Sequence, residues 1–134
     1  MANNQLSLLP FYTGWHAYNQ RLVAAIAPLT QEQLGLRTTP QHWSIGMYLT
    51  HIVANRAWWF HVRMGEGGDE LTSLELWALG VCEAGVDPGH TAAELVAGLE
   101  KTWQMIEETL VRLTPADLER GFPSLEQGER ERHA

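Results

Sequence analysis

The chain has 134 residues, 45% of them hydrophobic and 19% charged, with a formal net charge of −7. That is the size and composition of a single domain spanning 1–134 with a real core, and it excludes an intrinsically disordered chain. The acidic balance, with no basic cluster, excludes a phosphate-backbone partner, so no nucleic acid is expected.

Cys82 is the only cysteine, so neither an intrachain disulfide nor a cysteine-rich zinc site is available. The opening MANNQLSLLP lacks the basic start and apolar run of a signal peptide. No run of about 18 uninterrupted apolar residues offers a membrane span. These features predict a cytoplasmic protein with no membrane partner.

The elements follow a helical period. Apolar residues at Leu8, Phe11, Tyr12, Trp15, Tyr18, Leu22, Val23 and Ile26 step by three and four and predict a first long helix, which Pro28 stops. Thr30 and Gln33 have capping-box spacing and predict a short helical turn. Thr38-Thr39-Pro40-Gln41 reads as loop. Ser44 is a candidate N-cap for a second long helix. Its apolar residues, from Ile45 through Met47, Leu49 and Val53 to Val62, wrap most of the way round, as in a central helix.

Gly65, Gly67 and Gly68 end that helix. Thr72 and Glu75 offer another capping box and a brief helix to about Gly80. A loop with Asp87-Pro88 follows. Thr91 and Glu94 form the best capping box in the chain and open a third long helix, with Leu95, Leu99, Trp103, Ile106 and Leu110 on one side. Thr114-Pro115 ends it, with Pro115 at the first position of a further short turn. No alternating β-branched run competes. The fold class is therefore all-α, an antiparallel up-down helical bundle with three long helices. From about residue 123 the tail reads as loop or frayed chain.

His51 stands in the middle of the second long helix. On a wheel of about 100° per residue, Met47, Asn55 and Trp58 fall within about 40° of it, while Ile45, Leu49 and Ile52 centre elsewhere and form the expected core seam. Two readings stay open from the residues alone. One is a core histidine satisfied by a backbone carbonyl or by Asn55. The other is a group that lines a pocket between helices, with Met47, Asn55 and Trp58 as its walls, or that binds a metal.

The sequence resembles the DinB/YfiT-like superfamily of four-helix bundles. The resemblance rests on Trp15-His16-Ala17-Tyr18-Asn19-Gln20-Arg21-Leu22, on Pro28-Leu29-Thr30 with Leu34, on Trp43-Ser44-Ile45-Gly46, and on His51-Ile52 followed by Trp58 and Trp59. It implies a divalent metal, zinc or nickel, held by three histidines, and an enzyme of the thiol-transferase, isomerase or hydrolase type acting on a small-molecule substrate. His51 matches the ligand from the second helix. The family's other two come from a His-x-x-x-His on a fourth helix. Here no two of His16, His42, His51, His61, His90 and His133 stand four apart.

The chain thus looks like the family with its fourth helix missing or supplied by a partner, and with an incomplete metal site. The groove left by that helix calls for a cover, and a homodimer is the simplest one. The alternative function is a non-catalytic dimeric bundle that binds a partner or a small apolar ligand. Other chemistry has little support. Cys82 lies beside Glu83, which disfavours a thiolate, and Gly65-Glu66-Gly67-Gly68 has no preceding strand or following lysine. His16 reads as a surface or pocket-edge residue, and His42 and His90 as solvated.

Overall fold

Three threonine and serine caps set the helix starts. Thr30 Oγ1 accepts from the Gln33 N–H at 3.1 Å while Gln33 Oε1 accepts from the Thr30 N–H at 2.9 Å, and a short helix begins there. In the computed structural model, which describes residues 7–77 and 85–119, the α-helices are α1 (Thr13–Ile26), α2 (Gln31–Leu34), α3 (Ile45–Ala57), α4 (Thr72–Glu75) and α5 (Ala92–Arg112). No strand occurs among the described residues. Ser44 caps α3, with its Oγ accepting from the Met47 N–H at 3.1 Å. Thr91 caps α5 in the same way through Glu94.

The expected capping box at Thr72 is not formed. A 3₁₀ turn over Asp69–Leu71 runs straight into α4, so Thr72 lies inside the helix and Leu71 takes the cap position. α4 ends at Glu75, earlier than the expected end near Gly80, a position that, like Cys82 and the tail from residue 120, lies outside the described residues. α3 continues without a break into a π-helical segment, Trp58–Arg63. Gly65 and Gly67, at φ 73° and 77°, then end it in the left-handed region that glycine enters without strain.

α5 packs against both α1 and α3, whereas α1 and α3 make little direct contact with each other. The chain directions follow from hydrogen bonds at the ends. The Leu8 N–H donates to the Leu113 carbonyl at 2.8 Å, and Gln31 Nε2 donates to the Gly89 carbonyl at 3.0 Å. The start of α1 is therefore beside the end of α5, and the two are antiparallel. Ser44 Oγ donates to Asp87 Oδ2 at 2.6 Å, and Arg112 pairs with Glu66. Those contacts join start to start and end to end, so α3 and α5 run parallel. The long connection through α4 returns the chain to its starting side and makes this direction possible.

The core face of α3 differs from the seam expected from hydropathy. Gly46, Thr50, Val53, Ala54 and Ala57 are buried, while Ile45 is exposed and Ile52 only partly covered. Leu49 of the expected seam is buried as well. Two glycines mark close approaches here: a Cβ added at Gly46 would lie 3.3 Å from the Leu34 carbonyl oxygen of α2, and one at Gly98 of α5 would lie 2.9 Å from Val53 Cγ1. The buried hydroxyls are satisfied within their own helices: Thr50 donates to the Gly46 carbonyl at 2.7 Å and Thr102 to the Gly98 carbonyl at 2.8 Å. On α5 the expected stripe of Leu95, Leu99, Trp103, Ile106 and Leu110 is buried.

Candidate functional site

Because α1 and α3 both lean on α5 but hardly meet, a groove of about 410 Å³ remains between them. That volume falls in the range of small-molecule pockets, about 300–1,000 Å³. Trp15 and Tyr18 form the α1 wall, Trp59 and Phe60 the opposite wall, and Trp103 and Ile106 of α5 the floor. The polar groups in it are few. Asn55 and Arg56, at the end of α3, line it, and no aspartate or glutamate does.

Arg56 reaches across the bundle. Its Nη1 donates to Asn19 Oδ1 on α1 at 2.8 Å, to the Leu99 carbonyl at 3.2 Å and, more weakly, to Thr102 Oγ1 at 3.4 Å on α5. All three acceptors are neutral, and among the described residues no carboxylate pairs with it. Burial holds the guanidinium below its ordinary pKa, with Tyr18 acting weakly in the opposite sense. An arginine nevertheless stays charged at any ordinary pH.

The residues predicted as a site do not all gather here. Asn55 lines the groove. Met47 is fully buried at 0% exposure, where its Sδ accepts from the Ser44 N–H at 3.5 Å, so it belongs to the core. Trp58 stacks edge-on against Trp59, with its ring 5.7 Å from the Arg63 guanidinium carbon, and Trp59 is the tryptophan that borders the groove. Trp58 shares the helix side of His51, which does not line the groove, whereas Trp59 and Phe60 stand four positions after Asn55 and Arg56 and share theirs.

His51 is partly buried, with its ring 5.3 Å from that of Trp43, and it does not line the groove. A metal would need further ligands around it. Among the described residues, no three His, Cys, Asp or Glu side chains are placed to hold a metal ion. The described residues therefore do not fit the zinc or nickel centre that the resemblance implies; His133 lies outside them.

The other histidines have separate surroundings. His16 Nδ1 accepts from Trp103 Nε1 at 3.1 Å at the molecular surface. His42 is exposed and bonded to Thr38 and Thr39. His61 Nδ1 lies 2.7 Å from the Glu66 carbonyl. His90, expected to be solvated, is covered instead by stacking on Trp77 at 3.9 Å.

Arg56 is the residue that sequence reasoning passed over. Its signal was present: it is the only charged side chain between Ile45 and Phe60, in a run that is otherwise largely apolar.

The fold and groove define the class as an all-α bundle with an aromatic trough between two helices that share a third as floor. Within that class the chain belongs to the DinB superfamily, whose family model matches residues 15–133. No curated protein and no solved structure matches it. Among the described residues no helix is long and apolar enough to cross a membrane.

Proposed function

We propose that this DinB-superfamily protein binds a small, largely apolar organic molecule in the groove between α1 and α3. The observation that carries the reading is the lining: Trp15, Trp59, Phe60 and Trp103 offer aromatic surface, and Trp59 remains 43% exposed. Apolar surface of this kind gains about 25 cal/mol for each Å² a ligand covers. The polar groups present, Tyr18, Asn55 and Arg56, suit orientation of a ligand. No nucleophile–base pair lines the groove, and the described residues supply no ligand set around His51, so no reaction step is assigned.

The test is titration of the purified protein with the neutral fluorophore N-phenyl-1-naphthylamine. Saturable binding is expected. Trp59→Ala should weaken it by about tenfold, from the loss of one stacking wall, whereas Val111→Ala, at an exposed position away from the groove, should leave it unchanged. Absence of saturable binding, or equal affinity in the two variants, would refute the reading.

A second observation favours self-association. Ile45, Tyr48, Ile52, Asn55, Trp59 and Val62 step by three and four along one side of α3 and its π-helical extension, and all but Ile52 are exposed. Ile52 of this stripe packs on the core and Tyr48 meets Trp43, while the other members present exposed surface suited to a second helix. A homodimer formed through this stripe would wall the groove and reconcile both features.

A further inference from the structure

We propose that the groove ligand is an amphipathic carboxylate, an aryl or alkyl acid whose acid group binds Arg56 and whose apolar body lies against Trp15, Trp59 and Trp103. The inference rests on the groove being a binding site and names what kind of molecule enters it.

All three bonds that Arg56 makes to described residues leave from Nη1. No described residue accepts from Nε or Nη2. Those two nitrogens form the side-on fork that a carboxylate takes with two parallel N–H···O bonds. The side chain is pinned on its other edge by α1 and α5 at once, through Asn19, Leu99 and Thr102. An incoming acid therefore finds the fork already ordered and loses little side-chain freedom to it.

The charge pattern points the same way. The chain carries 16 acidic residues against 9 lysines and arginines, yet the groove is lined by one cation and no acid. Burial without a countercharge costs a guanidinium free energy, and a bound carboxylate would supply the missing countercharge in surroundings where it is weakly screened. A neutral ligand would gain the stacking but leave the cation unmatched. Asn55, beside Arg56 on the groove wall, offers an amide N–H to the same acid group.

A matched pair of probes tests this: 2-naphthylacetate and its neutral counterpart 2-naphthylacetamide, titrated calorimetrically into the full chain and into Arg56→Gln. The unmodified protein should bind the acid at least about tenfold more tightly than the amide, as for one charge-assisted pair. Arg56→Gln should abolish that preference, the acid losing more affinity than the amide. Arg56→Lys, which keeps the charge without the fork, should retain a smaller preference.

Equal binding of acid and amide by the unmodified protein would overturn the proposal while leaving the groove reading intact, and this comparison holds even if Arg56→Gln does not fold. A preference that survives in a folded Arg56→Gln would overturn it too. Failure of both probes to bind would overturn the groove reading and this proposal together.

Discussion

Thr91 decides where α5 begins. Its hydroxyl accepts from the Glu94 N–H at 3.2 Å, and Glu94 Oε1 accepts in return from the Thr91 N–H at 3.0 Å. That backbone bond is the main reason the Glu94 carboxyl lies below its ordinary pKa, with the Thr91 side chain second. Thr91→Ala is expected to cost about 1 kcal/mol of stability in urea unfolding. The pH dependence has a definite sign. A carboxyl with a lowered folded pKa binds fewer protons in the folded state, so its contribution is full above the ordinary carboxylate range and is lost as pH falls through the folded value. Glu94→Gln should thus lower the unfolding midpoint at pH 7, and the difference should shrink toward pH 3. A gap that widens in acid would contradict the assignment. The threonine cap could be read from the residues themselves because a capping box is a local device with fixed spacing. The role of Arg56 could not, since its acceptors lie 37, 43 and 46 positions away.

Between elements, the α3–α5 contact has the tightest tolerance. Gly98 lies in α5 where an added Cβ would stand 2.9 and 3.2 Å from the two Val53 methyls and 3.3 Å from Trp77 Cη2. Gly98→Ala gains about 1 kcal/mol of helix propensity but must displace a β-branched side chain in a packed core, at about 1–3 kcal/mol. A net loss on the order of 1 kcal/mol is expected, measured as a lower urea midpoint with an unchanged slope. A stabilised variant would show the contact to be looser than the geometry gives. A second close approach, of Gly46 in α3 to the Leu34 carbonyl oxygen of α2 at 3.3 Å from an added Cβ, bears on the seam of α3. Hydropathy weights Ile45 and Ile52 heavily, whereas close backbone approach selects glycine, alanine and threonine. The groove wall passes through Trp59 and not Trp58 because the groove follows the side of Asn55, four positions before Trp59, and not the side of His51.

At the scale of the molecule, two parallel helices and one antiparallel helix leave one side without a covering element among the described residues. Trp15 and Tyr18 of α1 are exposed there, and α3 with its π-helical extension adds Tyr48, Trp59 and Val62. If two copies meet through this side, light scattering should give twice the mass of one chain. The double variant Tyr48→Glu with Val62→Glu should give a monomer, because two carboxylates would be buried unpaired in the seam. Because a dimer through this side would wall the groove, far-UV circular dichroism and the urea midpoint, and not ligand affinity, separate loss of the dimer from loss of the fold. A monomeric unmodified protein would remove the dimer and leave the groove to its ligand alone.

The residues alone determined the all-α class, the three long helices, their caps and their stops. Each of these depends on a period of three to four or on groups within four positions of each other. They also carried the superfamily likeness, which the match over residues 15–133 bears out. Only the tertiary structure decided that α3 and α5 run parallel, that Gly98 of α5 lies against Val53 of α3, and that Asn55, Arg56 and Trp59 share a groove with Trp15 of α1. Those facts depend on which helices approach one another and how closely, and such distances between segments far apart in sequence leave no local period to read.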